Sequence, residues 1–235
     1  MTKLSKEEII AWLEQYDIEN YTLIPDLQSG FVVSVAGDVN LRNKKLEAIP
    51  LKFNIVRGNF DCSNNILTSL RNCPASVGGS FYCYHNRLNS LKYCPKVVGG
   101  EFYCGYNQLT SLQYCPQTIH ENFACNYNKL KSLEGGPTLV GGDFDCNNNQ
   151  LTSLQHCPTS VGGNFSCYIN ELTSLEYCPA SVGSCYFECF YNPLLGSYQN
   201  ITDFIELTDK LRADKEKSLL SNSLHTSAKG ILHKL

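Results

Sequence analysis

The sequence predicts a mainly-β solenoid with a parallel sheet on its concave face and a helical cap at each end. Three observations predict it. A block of about 21 residues recurs in register from Gly37 to about residue 195. Inside the regular blocks a Phe and a Cys flank one residue, polar in every block except at Ala124, which is the period-two alternation of a strand. No block carries enough apolar residues to bury its own face, so the blocks must stack on one another to make a core.

Residues 1–36 form the first expected unit, an N-terminal helical cap. Ser5 and Glu8 have the spacing of a capping box, and Ile9, Trp12, Leu13 and Tyr16 share one helical face. That face is expected to cover the first strand. Residues 37–195 form the repeat array. A weak unit from Gly37, GDVNLRNKKLEAIPLKFNIVR, has Val39 and Leu41 where later units have Phe and Cys. Regular units start at Gly58, Gly79, Gly100, Glu121, Gly142 and Gly163, and a partial unit, CYFECFYNPLL, starts at Cys185, one residue late. The shared pattern is F-x-C-x-x-N-x-L-x-x-L followed by x-x-C-P-x-x-V-G-G. The Pro and the Gly pair mark the return of the chain to the next strand. Residues 196–235 form the C-terminal cap and tail. A helix is expected from about residue 201, with Ile201, Phe204, Ile205 and Leu211 toward the last repeat. The stretch 218–235, ending GILHKL, fits a frayed tail, an edge cover or a peptide for a partner.

The segments FDCSNNIL, FYCYHNRL and FDCNNNQL match the core L-x-L-x-x-N-x-L signature. The chain thus resembles a leucine-rich repeat protein, and its LTSL tails are similar to the short-repeat bacterial and bacteriophage type. Phe and Cys replace the two strand leucines, and the Gly-Gly step lengthens the unit slightly.

Composition narrows the partners. The net charge is −3, with −1 over residues 1–57, −3 over 58–195 and +1 over 196–235. With no strongly basic segment, a nucleic-acid partner has no electrostatic support. No apolar run is long enough to span a membrane. The N-terminus lacks the pattern of a signal peptide, which leads us to expect a cytoplasmic location, in a bacterium or an infected host cell.

Thirteen Cys invite redox or metal chemistry, but their placement points to packing. Seven are strand Cys, five precede Pro, and Cys185 stands apart. Free Cys packs as a small hydrophobe, and zinc favours pairs two to four residues apart. The one near-candidate is Cys178, Cys185 and Cys189. The Asn ladder (Asn65, Asn86, Asn107, Asn128, Asn149, Asn170, Asn192) reads as structural, because backbone groups leaving a strand need partners that an amide provides. The five His form no ligand spacing. We therefore expect no catalytic residue, no metal and no cofactor.

Function is expected where the copies differ. The outward strand positions, with the residue before each ladder Asn, give an acidic, tyrosine-rich surface without Lys or Arg. The candidate partner-binding residues are Asp61, Tyr82, Tyr84, Glu101, Tyr103, Tyr106, Tyr127, Asp143, Asp145, Tyr168, Glu188 and Phe190. Tyr suits binding hot spots, and an acidic face steers basic partners. The expected function is a non-enzymatic protein-interaction module whose partner is a protein with a basic surface. The resemblance adds the role of a phage or bacterial effector, or of an inhibitor of a host or defence protein. The alternatives are a structural, self-assembling solenoid forming homo-oligomers, and a zinc-binding protein using the C-terminal Cys cluster.

Overall fold

Phe at every repeat becomes a rung. In the computed structural model, which describes residues 4–183 and 187–193, one eight-stranded parallel sheet joins the rungs starting at Val39, Phe60, Phe81, Phe102, Phe123, Phe144, Phe165 and Phe187. Each strand is two residues long and pairs in register, Phe against Phe. The rings from Phe60 to Phe165 are fully buried and follow one another at centroid distances of 5.4–5.9 Å. Beside this column lie the strand Cys and the two Leu of each unit, for example Cys104, Leu109 and Leu112, all buried. The chain is thus a parallel β solenoid of stacked coils.

The return path of each coil carries a second set of short parallel strands in place of a helix. Ser76–Val77 pairs with Val97–Val98, and Leu139–Val140 pairs with Ser160–Val161. The inward residue of each pair is a buried β-branched side chain: Val56, Val77, Val98, Ile119, Val140 and Val161. Gly-Gly then turns the chain into the next Phe rung. A Cβ at Gly99 would collide with the Gly78 carbonyl oxygen of the coil before, and the same holds for Gly162 against Gly141. Close approach of successive coils therefore requires Gly at this corner. Where His120 and Glu121 replace the pair, the second set divides: it runs as one sheet to Val97–Val98 and resumes as another at Thr118–Ile119. The Phe sheet continues unbroken past the same point.

The N-terminal helix α1 spans Lys6–Gln15, and both hydrogen bonds of the Ser5/Glu8 capping box are present. Ile9 and Leu13 are buried, while Trp12 and Tyr16 are half-buried and pack with tilted rings at 4.4 Å. Trp12 reaches Phe53, on the return side, at 6.4 Å. The remainder of the segment to residue 36 is not helical. Strands β1 (Tyr21–Asp26) and β2 (Gly30–Val35) form an antiparallel hairpin, and β2 pairs in parallel with Phe53–Val56. Pro25 and the Val-rich stretch of β2 favour strand over helix here. At the hairpin turn Asp26 accepts hydrogen bonds from the Ser29 backbone and hydroxyl and an ion pair from Lys52. Burial opposes, and these partners outweigh it, so the Asp26 carboxyl lies below its ordinary range. The expected helix from residue 201 and the tail 218–235 lie outside the described residues.

Hydrogen bonds close each coil against the next. Asn107 donates to the carbonyls of Cys83 and Cys104 at 3.0 and 3.2 Å, and its Oδ1 accepts from the Leu88 N–H at 3.0 Å. Asn128, Asn149 and Asn170 repeat the arrangement one coil on each time. The amide thus serves backbone groups in two coils at once, which explains why the residue type recurs. A second column does similar work at the strand entrance. Asp38, Asn59, Ser80, Asn122 and Asp143 each accept from the backbone N–H one coil later, at 2.6–3.0 Å.

The strand Cys are buried beside the pre-Pro Cys, and burial pushes their thiols up: Cys94 and Cys189 to about 12, and Cys83, Cys115, Cys125, Cys146 and Cys167 well above the ordinary thiol range. This is the chemistry of packing thiols rather than nucleophiles.

Candidate protein-interaction face

Strand alternation turns the residues flanking each Phe and Cys away from the core. Between Asp61 and Asp145 they enclose an open groove of about 650 Å³, lined among others by Arg42, Tyr82, Tyr84, Glu101, Tyr103, Asp143 and Asp145. The groove gathers most of the residues expected to bind a partner. Tyr127 stands at its margin. Tyr168, Glu188 and Phe190 form a separate cluster toward the C-terminal end. There Tyr168 stacks on Phe190 at 4.8 Å, and Glu188 accepts from the Ser166 hydroxyl at 3.2 Å. Tyr186 and Cys185 lie outside the described residues. Among the described residues no group of three or more metal-ligating side chains converges.

Glu101 organises the tyrosines. Its carboxylate accepts from the Tyr82 hydroxyl at 2.8 Å, the Tyr103 hydroxyl at 2.9 Å and the Asn122 amide at 2.8 Å. Tyr82 and Tyr103 pack edge to face at 5.4 Å. Burial, reinforced by the Glu101 carboxylate, pushes the Tyr103 phenol up to about 12 and raises that of Tyr82. Both phenols therefore stay protonated as donors. Asp38, Asn59, Ser80, Asn122 and Asp143 in this entrance column are short side chains that cap the next coil. Glu101 is too long for that role and reaches over the sheet instead.

The residues before the ladder Asn form an exposed aromatic stack. His85, Tyr106 and Tyr127 lie at 4.0 and 4.2 Å between successive centroids, with interplanar angles of 20° and 12°. Tyr106 and Tyr127 are 40% and 42% exposed, so large phenolic surfaces face water in a fixed array. All three residues hold φ near +50°. Non-glycine residues adopt this region at a cost, which stacking and coil-to-coil hydrogen bonds offset here.

The acidic side chains differ in what they offer. Asp61 accepts from the Ser63 N–H and hydroxyl, and Asp145 from the Asn147 N–H and amide, so both shape the local turn. Asp143 holds the Asn164 N–H. These carboxylates are therefore partly engaged within the protein. Burial, opposed in part by the Asn147 N–H and assisted by Glu188 and Asp143, pushes Asp145 up to about 6.

That shift has a consequence for stability. An unfolded Asp titrates near 3.9, so the folded chain binds this proton more tightly. The group's contribution is greatest below pH ~4 and declines as pH rises through about 6. Asp145→Asn removes the ionisation and keeps an acceptor for the Asn147 N–H. Urea unfolding should show the variant about 1–2 kcal/mol more stable than the parent at pH 7.5 and equal to it near pH 4, a value discounted for partial exposure. A constant difference across that range would refute the titration.

Arg42 corrects the expectation that this face carries no cation. Its guanidinium lies 5.7 Å from the Tyr84 ring centroid, inside the groove. The signal was in the weak first unit: in register from Gly37, Arg42 occupies the position of Tyr84 and Gly105 in later coils.

Comparison with known proteins returned no match: no protein family, no curated protein and no solved structure is significantly similar to the chain. No helix of the described residues is long and apolar enough to cross a membrane.

Proposed function

We propose that the chain is a non-enzymatic protein-interaction module that captures a partner protein on its tyrosine-rich face. The observation that carries this reading is the exposed, pre-stacked array of His85, Tyr106 and Tyr127 beside the Glu101-bound tyrosines. Rigid aromatic surface already held in place loses little entropy on binding, which is the property of an interface anchor. The repeat motif supports classing the solenoid as a leucine-rich repeat protein of the short bacterial or bacteriophage type. A cytoplasmic effector or inhibitor directed at a host or defence protein is the specific form that class suggests. The carboxylates of the groove favour a partner with a basic surface.

The test is affinity capture from bacterial lysate, read by mass spectrometry, with Tyr106→Ala/Tyr127→Ala beside the parent protein. A partner that binds the parent should be depleted at least tenfold with the variant, while the thermal midpoints of the two proteins stay within a few degrees. Equal capture by both proteins would remove this face from the function.

A further inference from the structure

Among the residues that line the groove, Gly105 and Ala124 are the smallest. Along one column the residues run Tyr84, Gly105, Asn126, and along its neighbour Tyr82, Tyr103, Ala124, Asp145. Ala124 therefore leaves a notch between a phenolic wall and an anionic one. Gly105 beside it is buried, and the Asn126 side chain lies where a Cβ at Gly105 would sit, so the opening lies over Ala124 and Asn126 forms its edge. The phenolic wall is Tyr82 and Tyr103, fixed by Glu101. The anionic wall is Asp143 and Asp145, two apart on one strand and on the same side of it. Each holds a backbone N–H through Oδ1, and among the described residues no hydrogen bond to either Oδ2 occurs. Each carboxylate thus keeps acceptor capacity for an incoming donor.

The groove also contains an example of what it accepts. Arg42 lays its guanidinium against Tyr84 from within the chain. Among the described residues no cation lies over the Tyr103 ring or pairs with Asp145. We propose that this notch receives the guanidinium of an arginine on an extended segment of the partner protein, a proposal that rests on the interaction reading above. A planar guanidinium satisfies both walls at once, stacking on a phenol and donating in-plane to a carboxylate, and a lysine ammonium cannot do both. An anionic side chain would be repelled, and an apolar one would desolvate Asp143 and Asp145 without pairing them. Burial, with Glu188 and Asp143 adding to it, is what raises Asp145, and a guanidinium placed beside it would favour the ionised form.

The experiment is an amide NMR titration of the whole chain with a capped Gly-Gly-Arg-Gly-Gly peptide and with its citrulline counterpart, which keeps the shape and removes the charge. The expected result is a saturable shift of the Gly105, Ala124 and Asn126 amides by the arginine peptide in the millimolar range. Citrulline should bind at least tenfold more weakly. Asp143→Asn/Asp145→Asn should weaken the arginine peptide at least tenfold, and Asn keeps the Oδ1 acceptor at both sites, so the fold is retained. Equal shifts by the two peptides, shifts elsewhere on the surface, or an unchanged affinity in the double variant would each overturn the proposal. Failure of the broader reading is distinguishable. If lysate capture depends on Tyr106 and Tyr127 but the arginine peptide does not bind the notch, the face binds protein by other chemistry. If the peptide binds while capture ignores those tyrosines, the notch is real and the interaction reading fails.

Discussion

Phe123→Ala should lower the unfolding free energy by about 3–5 kcal/mol, the largest loss expected from any single apolar substitution in the array. Phe123 is fully buried, midway along the column, with Phe102 at 5.8 Å on one side and Phe144 at 5.4 Å on the other. Truncation removes the transfer energy of the ring and leaves a cavity between two rings that cannot both close on it. Coils contact only their neighbours, so a lesion in the middle also weakens the coupling between the two halves. Urea unfolding followed by far-UV circular dichroism should therefore show a lower midpoint and a broader or divided transition. Tyr127→Ala, in the same coil but exposed, should cost less than about 1 kcal/mol. If both variants lost the same small amount, the Phe column would not be the core of the stack.

Much of this was legible in the sequence for a physical reason. A strand period of two assigns Phe and Cys inward and their neighbours outward, and a fixed register then aligns every copy. That was enough to predict the parallel Phe sheet, the Asn ladder and the surface on which the tyrosines gather. The return strands were not legible, because two-residue strands such as Ser76–Val77 show no alternation. Their existence follows from a buried Val and a Gly-Gly corner that brings backbones within pairing distance. The hairpin of β1 and β2 was hidden by the helical signal just before it, since a strong capping box says where a helix starts and not how soon it stops. At the site, alternation located the carboxylates but not their use. Asp61, Asp143 and Asp145 read alike as surface acids, yet Asp61 and Asp145 hold the N–H two residues on and Asp143 holds one in the next coil, while the longer Glu101 side chain binds tyrosine hydroxyls instead. Arg42 belongs to the weak first unit, where Val39 and Leu41 replace Phe and Cys, and the Phe/Cys pattern that assigns the outward positions begins only with the unit at Gly58.

The Asn ladder yields the second large effect, and it separates two roles of one side chain. From Cys62 to Cys167 each strand Cys carbonyl receives two Asn amides: Cys104 accepts from Asn107 at 3.2 Å and from Asn128 at 3.1 Å. Loss of one donor therefore leaves the carbonyl served. The Leu109 N–H has a single described partner, the Asn128 Oδ1 at 2.9 Å, and it is buried. Asn128→Leu should accordingly cost about 3 kcal/mol or more, most of it from that orphaned N–H and from misfit of the apolar side chain. Asn128→Asp keeps an acceptor for Leu109 but turns its second oxygen toward the carbonyls of Cys104 and Cys125. Protonated, that oxygen donates to one of them; ionised, it is repelled by both. The folded state then holds the proton more tightly than the unfolded chain, so stability falls as pH rises through the raised pKa. Urea midpoints should place Asn128→Asp within about 1 kcal/mol of the parent at pH 4 and about 3 kcal/mol below it at pH 7, with Asn128→Leu low at both. A flat pH response for Asn128→Asp would mean that the amide nitrogen contributes little and that the Leu109 N–H alone fixes the residue type.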